Sequence, residues 1–215
     1  MRIGVFDSGA GGVSVANAIR RAFPEHEVVY AQDRKNVPYG NKPPALLIKL
    51  VAPILQKLVE QDCEIIVIAC NTVTTTLLDD LKKQISVPLL GVEPMVEQAA
   101  KLTTTNVIAV CATPTTLASK RYHVLKDKYA KNMQVIEPDC SDWALMIERD
   151  RVDQRHLKDT IESCLTSNAD VIVLGCTHYH WIEETVVRLS RGRAMVLQPE
   201  QAVIARLRQA LAQRA

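Results

Sequence analysis

The chain of 215 residues is long enough for one large domain or two small ones with a buried core. Its 26 basic and 24 acidic side chains leave a formal charge of +2 and only 4% of residues are aromatic, so it lacks the basic field and stacking rings of a nucleic-acid surface. No apolar run reaches bilayer length, and Asp7 interrupts the first one before a signal-peptide core could form, so neither a membrane nor a nucleic acid is expected as partner and a cytoplasmic location is.

In chain order, residues 2–6 read as a strand running into Asp7-Ser8-Gly9-Ala10-Gly11-Gly12, with helical spacing over 13–23. Such a glycine loop lets backbone N–H groups approach an anion, a substrate carboxylate as readily as a phosphate. It lacks a P-loop lysine and does not match GxGxxG, which disfavours a nucleotide. A second strand at 27–31 leads to a polar loop, 32–42, holding Asp33 and Pro38-Tyr39-Gly40, which suits either turn chemistry or function. A helix at 44–61 precedes a β-branched run ending at Cys70, a helix follows at 72–84, and a short strand occupies 87–92.

Glu93-Pro94 marks the crossing into a second half, with a helix at 95–102 and a strand at 106–111. Ala112-Thr113-Pro114-Thr115-Thr116 then opens a helix with hydroxyls at its start; one threonine serves as an N-cap, and others are placed to meet a carboxylate or amine. A strand at 133–136, helices at 142–148 and 156–166, the strand before Cys176, a short strand at 195–197 and a closing helix at 201–212 complete the reading. The expected fold is α/β: two similar three-layer lobes with parallel sheets related by pseudo-two-fold symmetry and a cleft between them. Residues 1–93 with 199–215 form the first lobe and 94–198 the second. The late arginines, Arg188, Arg191, Arg193, Arg206 and Arg208, read as a solvated helix face.

Two stretches carry the chemistry. Residues 64–76, EIIVIACNTVTTT, and 169–178, ADVIVLGCTH, share one plan: an acidic residue, an apolar run, a small residue, a cysteine, then threonine within two positions. Both runs are too continuous for a half-exposed strand and fit a buried parallel one, whose carboxyl end is where ligands bind in open α/β sheets. A lone strand-end cysteine is usually structural, but one from each half suggests a small substrate held between two thiols. Polar groups and a helix start follow each, a setting expected to favour thiolate and lower the pKa from about 8.5. The other four cysteines lack CxxC spacing, so neither zinc nor a disulfide framework is indicated, and Cys63, Cys111 and Cys164 read as small core residues. With a thiolate on one face of a carbon acid and a thiol on the other, a proton can be removed and returned with inversion. No motif for pyridoxal phosphate, flavin, nucleotide or metal accompanies the pair, so no cofactor is expected.

Phe6-Asp7-Ser8-Gly9-Ala10-Gly11-Gly12, Pro38-Tyr39-Gly40, Ala69-Cys70-Asn71-Thr72 and Leu174-Gly175-Cys176-Thr177-His178-Tyr179, in this order and at these intervals, resemble the glutamate racemases of the cofactor-independent aspartate/glutamate racemase superfamily. The resemblance spans nearly the whole chain. It implies racemisation of glutamate, supplying D-glutamate for peptidoglycan, with Cys70 and Cys176 as the two catalytic bases, Asp7 assisting Cys70, His178 assisting Cys176, and Glu148 as a further acid near the second thiol. Asp7, Ser8, Tyr39, Gly40, Asn71, Thr72, Thr177 and His178 would meet the substrate, joined by Thr113 and Thr116 from the second half. A homodimer is left open.

The chain departs from the family pattern in being shorter, in His180-Trp181 after the second cysteine motif where proline and an aliphatic residue are usual, in Cys140-Ser141 for Cys-Pro, and in Gln198 near an expected aspartate. Three alternatives stay in view: a racemase of aspartate or another amino acid, since one methylene is worth only about 1 to 3 kcal/mol; a metal-dependent hydrolase using Cys176, His178 and His180 if the strand ran on through them; and a two-lobed binding protein that captures an amino acid without turning it over.

Overall fold

The structure is a computed structural model that describes residues 1–213. Residues 214 and 215, which the expected first lobe includes, lie outside the described residues. The first half runs β1 (Arg2–Asp7), α1 (Gly12–Ala22), β2 (Glu27–Gln32), α2 (Pro44–Glu60), β3 (Ile65–Ile68), α3 (Asn71–Leu81) and β4 (Leu89–Gly91), with a 3-10 turn at Arg34–Asn36. The second runs α4 (Val96–Leu102), β5 (Val107–Cys111), α5 (Pro114–Leu117), α6 (Lys120–Tyr129), β6 (Gln134–Ile136), α7 (Trp143–Glu148), α8 (Gln154–Thr166), β7 (Val171–Leu174), a 3-10 turn at Thr177–Ile182, α9 (Glu183–Ser190) and β8 (Met195–Leu197), and α10 (Glu200–Ala212) follows.

Two four-stranded parallel sheets repeat one strand order, β2-β1-β3-β4 and β6-β5-β7-β8. The central strands explain themselves: all four residues of β3 and all four of β7 are buried, as β-branched and leucine side chains facing helices on both sides must be. α2 places Leu47, Val51, Leu55 and Leu58 at helical spacing on one face of the first sheet, each worth about 1.5 to 3 kcal/mol against exposure. Its internal Pro53 points to solvent. α1 and α10 cover the opposite face, where Val203 and Leu207 join Ile3, Val5 and Ile19. In the second half α7, α8 and α9 cover one face, and α4 and α6 the other.

α8 starts on an N-cap, the Asp153 carboxylate accepting the N–H groups of Arg155 and His156. At the amino end of β7, Asp170 accepts Thr103 Oγ1 at 2.5 Å, the N–H and hydroxyl of Thr104 at 2.6 and 2.7 Å, and the Thr105 N–H at 3.1 Å. This laces the α4–β5 turn to the strand that ends at the opposite, cysteine-bearing side.

Expected elements lie within a few residues of those found, as helix ends usually do. One helix, α6, goes beyond the sequence expectation. α6 buries only Tyr122 and Leu125 and shows no continuous apolar stripe, while the helix expected after Cys176 begins as the 3-10 turn at Thr177–Ile182 and continues as α9.

Candidate active site

The central strands of both sheets end at one place. Asp7 is the last residue of β1, Cys70 lies two residues past β3 and opens α3, and Cys176 lies two residues past β7 at the head of the 3-10 turn. β5 ends at Cys111, and Thr113 follows as the N-cap of α5. Both thiols are nearly closed off, Cys70 at 4% and Cys176 at 8% exposure.

On the first side, Cys70 Sγ lies 3.6 Å from Ser8 Oγ. Burial, followed by the Asp7 charge, pushes its pKa up to about 12, against bonds from the Val73 N–H and Ser8. This corrects the expectation that a helix start lowers the thiol's pKa: loss of water around a buried thiolate outweighs the helix amides. Asp7 itself does not hydrogen-bond Cys70. Its Oδ2 accepts the N–H groups of Gly9 and Gly12 at 3.1 and 3.0 Å, and its Oδ1 accepts the hydroxyl of Thr177 from the second half at 3.0 Å. Burial raises its carboxyl above the ordinary range despite the His178 charge and these bonds.

On the second side, His178 Nδ1 lies 3.7 Å from Cys176 Sγ and its Nε2 lies 2.7 Å from Glu148 Oε1. Burial works against the imidazolium, but the bonds to Cys176 and Glu148 win and raise the ring to about 11. The His178 bond holds the Glu148 carboxyl below its usual range, against its own desolvation. Glu148 Oε1 also accepts the Ala10 N–H at 3.0 Å, so the glycine loop of the first half closes onto the second. Gly9 is required here: a Cβ would stand 2.3 Å from Glu148 Oε1 and 2.9 Å from His178 Nε2.

Hydroxyls close the remaining wall. Thr72, on α3, lies 3.0 Å from Thr113 Oγ1 and 3.4 Å from Thr116 Oγ1, and those two lie 3.0 Å apart. Tyr39 is buried, its hydroxyl donating to Asp33 at 2.7 Å, and the Gly40 carbonyl accepts from Thr115. Asn71 stands out because both polar atoms of its buried side chain have no protein partner among the described residues. A buried carboxamide without partners is a costly arrangement unless something polar comes to meet it.

The structure therefore brings every residue expected at the site to the facing strand ends. Tyr30, whose hydroxyl donates to the Gly9 carbonyl at 2.6 Å, carries no signal in the sequence, while Ala10 and Thr115, within the expected glycine loop and hydroxyl cluster, meet Glu148 and the Gly40 carbonyl rather than open space. Cys176, His178 and His180 do not share a face, because β7 stops at Leu174 and the 3-10 turn sends His180 away to within 3.4 Å of Glu200 and 3.6 Å of Glu183. Among the described residues no group of three or more His, Cys, Asp and Glu side chains is arranged to hold a metal ion. All six cysteines are buried and free, Cys63, Cys111, Cys140 and Cys164 as packing residues of the cores.

The family model described as Asp/Glu/Hydantoin racemase matches residues 7–207. The chain belongs to this family. It is 33% identical over 214 residues to the glutamate racemase of Ralstonia pickettii, with 98% of this chain and 76% of that protein covered. Against that of Clostridium botulinum it is 35% identical over 200 residues, with 91% and 77% covered. Among solved structures, glutamate racemase from Escherichia coli in complex with L-glutamate and the activator UDP-MurNAc-Ala matches with a TM-score of 0.88 at 29% identity, covering 97% of this chain and 81% of that one. Of the four motifs that resemble the racemase family in sequence, three carry Asp7, Cys70 and Cys176, and the fourth, Pro38-Tyr39-Gly40, lies against Thr113 and Thr115.

Proposed function

We propose that the chain interconverts L- and D-glutamate without a cofactor, each thiol serving one face of the substrate's α-carbon. The observation that carries the reading is the pair of cysteines at equivalent strand ends of two sheets with one topology, each with a different polar partner. His178, braced by Glu148, stands against Cys176, the base of the L-to-D direction, while burial and Asp7 keep Cys70 a thiol. In the L-to-D direction the Cα–H bond breaks toward the Cys176 sulfur and the Cys70 S–H proton goes to the opposite face. The enzyme is left with thiol and thiolate exchanged, and proton exchange with water restores it. Confinement and alignment supply the effective concentration that a free thiolate lacks.

Asn71, with its unpartnered carboxamide, and the hydroxyls of Ser8, Thr72, Thr113, Thr116 and Thr177 hold the substrate's carboxylates and amine, with Tyr39-Gly40 closing one end. D-Glutamate formed this way would supply peptidoglycan, and a cytoplasmic location suits that role; no helix among the described residues is long and apolar enough to cross a membrane. The test is optical. Purified protein given either enantiomer of glutamate should bring the rotation to zero, and a lasting rotation from both would exclude the reading. Faster turnover of aspartate would transfer the mechanism to that substrate.

A further inference from the structure

The loop after β2 reaches across the cleft and is held there by a residue outside the motifs. Thr115, on α5 of the second half, donates both its hydroxyl, at 2.5 Å, and its backbone N–H, at 3.1 Å, to the carbonyl of Gly40 in the first half. The two segments are pressed together: a Cβ on Gly40 would stand 2.6 Å from Thr113 Cβ and 2.7 Å from its methyl. The loop is secured on its own side as well, by the Tyr39 hydroxyl on Asp33, the Lys42 N–H on the Tyr39 carbonyl at 3.0 Å, and Lys42 Nζ on the Pro38 carbonyl at 2.9 Å. Among the described residues the Gly40 N–H donates to no protein acceptor. One carbonyl with two donors from a single residue has its direction fixed, and with it the neighbouring Tyr39–Gly40 peptide, whose N–H has no protein acceptor among the described residues and which closes one end of the substrate site in the glutamate reading.

We infer that Thr115 is a positioning residue: its paired hydrogen bonds to the Gly40 carbonyl latch the Tyr39–Gly40 loop across the cleft and aim that loop at the substrate. The inference rests on the glutamate reading for its kinetic consequence but not for the latch itself. Thr115 is half-buried and touches neither thiol, so Thr115→Val keeps the side-chain shape and removes one of the two donors. Loss of one such bond is worth about 3- to 10-fold. The latch acts on binding, so KM should rise by that factor for both enantiomers while kcat changes less, and Thr115→Ser should restore the wild-type values. Hydrogen exchange at the Lys42 amide, which reports on the 39–42 turn, should accelerate by a similar factor in Thr115→Val and return to normal in Thr115→Ser. Unchanged Lys42 exchange in Thr115→Val overturns the latch, and accelerated exchange with KM unmoved in an active enzyme overturns the positioning role. If wild-type protein fails to racemise glutamate, the reaction is misassigned, while the exchange rates still decide whether the latch exists.

Discussion

Glu148 Oε1 stands 2.7 Å from His178 Nε2, and through that contact a carboxylate at the end of α7 sets the charge of the ring that faces Cys176. The ring's folded pKa, about 11, lies above its ordinary 6.5, so the folded protein holds a proton that the unfolded chain gives up first. The resulting stabilisation is complete below the ordinary value and is lost as pH rises toward and through the folded one. Urea unfolding of wild-type and His178→Gln proteins should therefore differ more at pH 6 than at pH 10. A gap that stays constant, or widens with pH, contradicts a charged His178.

Asp7 tests the other thiol. Its carboxylate reaches Thr177, Gly9 and Gly12 rather than Cys70, yet its charge helps to raise the Cys70 thiol. Asp7→Asn should thus shift the pH profile of Cys70 alkylation, followed by mass spectrometry, to lower pH. Proton transfer at Cys70 should also slow, by ~10²-fold on general acid–base magnitudes, and His178→Asn should act instead on the Cys176 step. Rates in the two directions remain tied by the equilibrium constant, so primary isotope effects measured in each direction separate the variants. Identical isotope responses would show that the two assistants are not separately paired.

What the sequence made readable was whatever one segment states alone. The buried runs before Cys70 and Cys176 declared themselves by continuous β-branched residues, and α2 and α8 by apolar stripes at helical spacing. α6 offers no such stripe, since it buries only Tyr122 and Leu125. Relations across the chain were the other blind spot. Thr115 and Gly40 are 75 residues apart, Asp7 and Thr177 are 170 apart, and no local pattern reports either pairing. The Cys70 pKa differs from expectation for a related reason: the helix start is local, whereas the burial that overrides it comes from residues distant in sequence, Phe6 and Tyr39 among them.

No step above uses a metal or a cofactor. Extensive dialysis and a chelator should therefore leave activity intact, and alkylation of the thiols should abolish it. Activity lost to the chelator and regained with zinc would return the metal-dependent alternative to first place.

Stability has its own test at the far end of the second sheet. Desolvation would raise the Asp170 carboxyl, but the bonds from Thr103, Thr104 and Thr105 together outweigh it and hold the group far below its usual range. Asp170→Ala should cost about 1 to 3 kcal/mol in denaturant at pH 7, toward the lower figure because the group is partly exposed. The contribution is present above the ordinary carboxylate pKa and falls away as pH drops below it. The gap between wild-type and variant proteins should therefore narrow from pH 5 to pH 2, and a gap that widens would mean that Asp170 is not held as an anion.

The two thiols carry the decisive test. If a single base served both faces, the base or substrate would have to turn within the site, and the proton taken from one enantiomer would be returned in the other. Two bases need only a fixed α-carbon between them. Sulfurs on opposite sides of that carbon, each roughly 3 to 3.5 Å from it, cannot be bonded to each other, since a disulfide spans about 2 Å; both cysteines are free thiols. Racemisation should therefore proceed without a reductant to break a Cys70–Cys176 bridge. In deuterated water, Cys176 should take protium from L-glutamate while Cys70, already exchanged, should deliver deuterium to the other face. The first D-glutamate formed should carry deuterium at Cα, and recovered L-glutamate should remain protiated at low conversion. Cys70→Ala and Cys176→Ala should each nearly abolish turnover, because either loss leaves one face without a proton carrier. Early D-glutamate that retains much protium, or brisk racemisation by either alanine variant, would overturn the two-thiol mechanism even with the fold and the family unchanged.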